Sequence, residues 1–239
     1  MKKAPRILAA LLGVLVLVVV IVYFAFLREP QLEGKALTVV LRGLVSQSDA
    51  TRKDSAELLG RAGPGVLPVL VEMIEAKDTP FKKSAREFLD DHEWSLPRFA
   101  PPAVKRSQAV TAFRALGAAG APAAPMLARL FQNADTSAPA GLALAGIGGQ
   151  AILPLVEALD APDKRLRGNA KMALESLGPQ SKDTVPILLE QLKNPKPQVR
   201  AIIPHLLGKI GQDVSRVTTP DEIRRAEWWK DEYQVAWNG

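Results

Sequence analysis

Apolar residues along this chain follow two rules. From Ile7 to Leu27 they run without one charged position. Beyond residue 35 they come in short groups at helical spacing, separated by turns rich in glycine, proline and acidic residues. In "GGQAILPLVEALDAPDKRLRGNAKMALESLG", residues 148–178, Ile152, Leu155, Val156 and Leu159 fall at i, i+3, i+4 and i+7, one face of a helix. Across an acidic turn, Leu166, Ala170, Ala173, Leu174 and Leu177 form a second stripe. The pattern predicts two helices closed by Gly178, since a helix end favours a residue free to take positive φ.

The unit recurs. Prolines preceded by small or apolar residues stand at Pro68, Pro97, Pro125, Pro154 and Pro186, spaced by 29, 28, 29 and 32 residues. Each fits the first turn of a helix, where the missing N–H costs nothing. Val66, Val69, Leu70 and Met73 repeat the first stripe, as do Ala123, Met126, Leu127 and Leu130. Val199, Ile203, Leu206, Leu207 and Ile210 repeat the second, ahead of Gly211, and Pro204 is expected to kink that helix or delay its start. Six units follow: about 35–63, 64–92, 93–120, 121–149, 150–178 and 179–211. The third, with "EWSLPRFAPP", is too proline-rich for a full first helix. The fourth, with "TSAPAGLALAGIGG", can pack closely but offers little apolar bulk. A two-helix unit of this size cannot bury its face alone, and stacking buries a continuous core. The expected fold is all-α: an α-solenoid of about six two-helix repeats over 35–211.

Two stretches make a resemblance specific. "DKRLRGNAKMALESLG" and "KPQVRAIIPHLLGKIG" resemble the second helix of short bacterial HEAT repeats, a HEAT-like group that includes phycobilin lyase subunits. That pattern places an acidic or Asn residue in the turn, then an arginine, then AxxAL and a glycine. Asp163 with Arg167, Asn194 with Arg200 and Asp49 with Arg52 match it. The resemblance implies that these six residues form a structural ladder between repeats. Asp135 has no arginine after it, so the ladder breaks at the fourth unit.

The N-terminal run changes the expected setting. Residues 1–6 are basic, with Lys2, Lys3 and Arg6, and the 21 uncharged residues 7–27 would span about 30 Å as a helix. Bulky "VYFAFLREP" lacks the small residues of a cleavage site, so the segment reads as a transmembrane signal anchor. The basic flank puts the N-terminus in the cytoplasm and the body outside, a single-pass inner-membrane protein with a periplasmic solenoid. Residues 28–34 would be a short linker. With the flank removed, 28 cations oppose 25 acids, and a net charge of +3 is too mild to indicate nucleic acid. The absence of cysteine excludes disulfides and thiolate metal sites.

Cations open most second helices, where the helix dipole disfavours them. Lys82, Lys83, Lys105, Arg106, Lys164, Arg165 and Lys196 are candidates for a basic edge that meets an acidic partner. The same cations could instead bridge to acids that close the first helices, such as Glu157 and Asp160. In the tail, 212–239, Thr219, Pro220 and Glu222 form a helix-entry signature. Trp228, Trp229, Tyr233 and Trp237 then suit a helix that caps the solenoid end or docks a partner.

Enzyme signals are few. His92 sits among acids and His205 among apolar neighbours, and neither belongs to a metal-binding pattern. "GIGGQ" is a turn in the repeat register rather than a phosphate loop. No cofactor is expected. The sequence therefore points to a non-catalytic, membrane-anchored repeat scaffold that binds another protein. Two alternatives stay open: a lyase-like ligand binder, and a cytoplasmic nucleic-acid binder.

Overall fold

A computed structural model describes Val16 and residues 30–91, 100–178 and 181–214. From residue 30 the described chain begins with a short hairpin, β1 (Gln31–Leu32) paired antiparallel with β2 (Lys35–Ala36). Glu33 and Gly34 turn it, both at positive φ. Helices follow: α1 (Leu37–Gly43), α2 (Asp49–Arg61), α3 (Leu67–Glu75), α4 (Pro80–Asp91), α5 (Pro102–Leu116), α6 (Ala124–Gln132), α7 (Ser137–Ile147), α8 (Leu153–Ala158), α9 (Lys164–Glu175), α10 (Val185–Gln191) and α11 (Pro197–Val214).

The prolines sit where their chemistry places them. Pro68, Pro125, Pro154 and Pro186 occupy the first turns of α3, α6, α8 and α10. Pro97 lies outside the described residues. A 3-10 turn leads into each of these helices, so Val66, Ala123 and Ile152 belong to the approach and not to the helix itself. Gly63, Gly117 and Gly148, which follow α2, α5 and α7, take positive φ and reverse the chain. Gly211 instead lies inside α11, which starts at Pro197 and runs through Pro204.

One apolar cluster extends from Leu37 to Ile210. The second-helix stripes are buried as expected: Leu166, Ala170, Ala173, Leu174 and Leu177 in one, Val199, Ile203, Leu206, Leu207 and Ile210 in the other. Among the first-helix faces, Ile152, Leu155, Val156 and Leu159 are buried as expected, while the faces of α3 and α6 differ from the expected register. In α3 the buried side chains are Leu67, Leu70, Val71 and Ile74, while Val69 and Met73 are only partly covered. In α6 they are Leu127 and Phe131, and Met126 is exposed.

The helices pack as first–second pairs: α1 with α2, α3 with α5, α6 with α7, α8 with α9, and α10 with α11. Second helices also stack along the chain, α2 on α5, α5 on α7, and α7 on α9. Among the described residues the chain is thus mainly helical, with one short hairpin, and fits an α-solenoid. The pairing of α5 differs from the six-unit division, which gave α3 the helix over 80–91 as its partner. Here α5 packs on α3.

The fourth unit has more weight than its small side chains suggest. Its second helix, α7, lies against α5, α6 and α9. A Cβ at Gly146 would stand 3.0 Å from the Arg114 backbone on α5, and one at Gly141 would stand 3.3 Å from the Ala173 Cβ on α9. Small residues contribute here through close backbone approach, not through apolar volume.

The expected placement as a single-pass inner-membrane protein is corrected. Among the described residues no helix is long and apolar enough to cross a membrane. The longest, α11, carries Arg200, His205 and Lys209, and charges at a bilayer centre are costly. Residues 7–27, where the span was placed, lie outside the described residues apart from Val16.

Candidate functional site

The second-helix N-termini gather most of the candidate side chains. Asp163 caps α9: its Oδ1 accepts from the backbone N–H of Arg165 at 2.8 Å and of Leu166 at 3.4 Å. Its Oδ2 accepts from Arg165 Nη2 at 2.9 Å. These contacts hold the Asp163 carboxyl below its ordinary pKa, the bond from the Arg165 N–H chief among them. The carboxylate also offsets the dipole end on which Lys164 and Arg165 sit. In α2 the cap is Ser48, not Asp49; Asp49 lies in the first turn and pairs with Arg52.

The arginine after each cap turns back onto the preceding turn. Arg167 Nη1 donates to Ala161 O at 2.6 Å and to Pro162 O at 2.9 Å. Arg200 Nη1 donates to Asn194 O at 2.7 Å and to Pro195 O at 2.9 Å. Arg52 Nη1 donates to Ser46 O at 2.5 Å. Each arginine thus satisfies carbonyls left open where a first helix ends. Asn194 contributes its backbone to this contact, while its Oδ1 accepts from Lys196 N at 3.0 Å in an Asx turn.

Arg106 makes the same contact. Its Nη2 donates to Ala76 O, just beyond α3, at 2.8 Å. From this arginine the spacing to Ala109, Ala112, Phe113, Leu116 and Gly117 equals that from Arg167 to Ala170, Ala173, Leu174, Leu177 and Gly178. Arg106 thus stands at the place held by Arg167 in α9, although the sequence pattern grouped it with the basic edge. The motif R-x-x-A-x-x-A-[FL] carried the signal. In α7 the equivalent position is Ser137, fully buried, whose Oγ accepts from Asn169 Nδ2 at 3.0 Å. Its neighbour Thr136 donates from Oγ1 to Leu130 O at 2.7 Å.

The remaining cations divide. Lys196 pairs with Asp160 at 3.0 Å, joining α8–α9 to the turn before α11. Lys83 is exposed on α4, and Lys105 is partly buried on α5 and already holds an interaction. Lys164 is exposed, with no ion pair or hydrogen bond among the described residues. The Lys82 side chain lies outside the described residues, as do His92, Trp228, Trp229, Tyr233 and Trp237. His205 is exposed on α11, where packing had been expected.

Lys164 and His205 line one groove, of about 750 Å³, between α9 and α11. Its cause lies in the helix stack. Positions Ala109/Ala112, Ala140/Ala143 and Ala170/Ala173 let α5, α7 and α9 approach closely. In α11 the same positions are Ile203 and Leu206. Among the described residues, the close backbone approach of α5 to α7 and of α7 to α9 is not continued from α9 to α11. Larger side chains thus stand where the other second helices carry alanine, and the groove lies between α9 and α11.

The family match falls on this end of the chain. The family of HEAT repeats matches residues 152–226. These helix pairs are HEAT-like. No curated protein matches the chain. Among solved structures it is similar to the crystal structure of an engineered protein, at 17% identity over 81% of this chain and 94% of that one. The TM-score of 0.30 is too low to carry the fold. HEAT repeats suggest a protein-interaction scaffold, and the HEAT-like pairs α8–α9 and α10–α11 are the ones that flank the groove.

Proposed function

We propose that the chain is a non-catalytic adaptor that binds another protein through the exposed side of its second helices. The observation that carries this reading is the HEAT-like match over residues 152–226. Packing supports it. Stacked helix pairs contact mainly their neighbours, so the stack offers a long surface for its residue count. The ladder arginines Arg52, Arg106, Arg167 and Arg200 are engaged with carbonyls of their own turns. Partner contact then falls first to side chains outside the ladder, such as Lys164, and otherwise to guanidinium N–H groups the ladder leaves open, such as Arg167 Nη2.

Crosslinking of the full-length chain in its native cells, with identification of the adducts, tests the reading. A reproducible adduct with a different protein is expected. Adducts with the chain itself alone, or turnover of a small substrate by the purified chain, would overturn it.

A further inference from the structure

The groove between α9 and α11 has a chemistry of its own. Lys164, Arg167 and Lys171 stand along one wall, on α9, with Glu175 at its far end. The Lys164 side chain makes no ion pair or hydrogen bond among the described residues. Lys171 reaches Glu175 only at 3.8 Å, with both side chains substantially exposed, a weak pair. Arg167 uses Nη1 on Ala161 and Pro162, and its Nη2 makes no hydrogen bond among the described residues. On the other wall Ala201, Ile202 and His205 face the cations, and Gly168 leaves room between. The groove is therefore mainly cationic along one side, while the other is aliphatic at Ala201 and Ile202 and carries the His205 imidazole.

We infer that this groove receives an extended acidic segment of a partner protein. The inference rests on the adaptor reading and names the partner's chemistry. From Lys164 to Glu175 α9 has 12 residues, about 18 Å at ~1.5 Å each. That length matches about five residues of extended chain at ~3.3 Å each. Carboxylates of such a segment meet Lys164, Arg167 and Lys171. Alternate side chains, which point the other way, meet Ile202 and Ala201. A nucleic acid fits less well: no Phe, Tyr or Trp lines the groove, His205 alone offers a ring for base stacking, and Glu175 interrupts the positive wall.

Fluorescence anisotropy with the full-length chain tests this. The probe is a fluorescein-labelled Glu-Leu-Glu-Leu-Glu peptide, with Gln-Leu-Gln-Leu-Gln as its neutral counterpart. The acidic peptide binds saturably, and added salt weakens it. K164E/K171E weakens it about tenfold or more, as like charges then face each other. A201F, which narrows the groove and keeps every charge, also weakens it, while K53E on α2 leaves it unchanged. All variants keep the wild-type unfolding temperature. Absence of saturable binding, equal binding of the glutamine peptide, equal loss in K53E, or displacement by an oligonucleotide of equal charge at lower concentration would overturn the proposal. The two readings fail separately. A partner captured in cells and still held by K164E/K171E removes the groove alone; a chain that captures no partner removes the adaptor.

Discussion

Arg106 Nη2 donates to Ala76 O at 2.8 Å, although 30 positions separate the two residues. Arg167 makes the same contact with Ala161, only six positions away. The helix that follows α3 in space is thus α5, and the chain between them is 24 residues longer than in the α8–α9 turn. The contact closes the α3–α5 pair. Arg106 is partly buried, and its Nε is buried without a partner.

Arg106→Ala therefore leaves the Ala76 carbonyl without its donor. The expected cost is about 1–3 kcal/mol. Thermal unfolding should fall by several degrees, since about 1 kcal/mol moves a chain of this size by ~2–4 °C. Arg106→Lys should recover only part of the loss, because an ammonium lacks the planar fork. Differential scanning fluorimetry of the three proteins checks both. Unfolding unchanged in Arg106→Ala would detach α5 from α3.

Gly146→Leu should be more damaging than most surface changes. Even a Cβ would meet the Arg114 backbone at 3.0 Å, and backbone cannot rotate away. Overpacking of this kind costs about 1–3 kcal/mol. Gly168→Ala, where a Cβ meets nothing within 4 Å, should instead be neutral or slightly stabilising in mid-helix. Denaturant midpoints for the two variants make the comparison.

Lys196 and Asp160, 3.0 Å apart and partly exposed, should couple weakly. A double-mutant cycle with alanine at each is expected to give no more than about 1 kcal/mol. A coupling well above that would make Lys196 a main tie between the last two helix pairs.

Asp163 supplies a pH signature. Its carboxyl is held below the ordinary value of 3.8 in the folded chain. A depressed folded value stabilises fully above the unfolded value, and the contribution fades as pH falls through the folded one. The difference in unfolding temperature between wild type and Asp163→Asn should thus be flat from neutral pH to about pH 5 and shrink below about pH 4. Melting curves across that range test it. A difference that grows in acid would contradict the contacts at Asp163.

The second helices were legible because arginine, two small residues, a large apolar residue and glycine recur at fixed spacing. The partner of α5 was not. The inserted stretch is nearly one repeat long, so the proline period of 29 and 28 residues runs through it undisturbed. The stripe Ile152, Leu155, Val156 and Leu159 was legible, but the registers of α3 and α6 were hidden for another reason. "VLPVLVEMI" and "APMLARLF" are apolar on several faces, and periodicity alone cannot choose which face meets the neighbour. Ala170/Ala173 against Ile203/Leu206 was visible as letters. Its consequence, a groove, needs the helices placed side by side. The N-terminal span, apart from Val16, and the tryptophan-rich tail beyond Val214 lie outside the described residues, so their sequence patterns gain nothing from the fold.

The most direct test of the account is crosslinking of the full-length chain in its native cells, wild type beside K164E/K171E. The account predicts one reproducible protein adduct that carries an acidic segment and is lost in the variant, with folding intact in both. No adduct with any other protein, under conditions where the chain is folded and abundant, would contradict it.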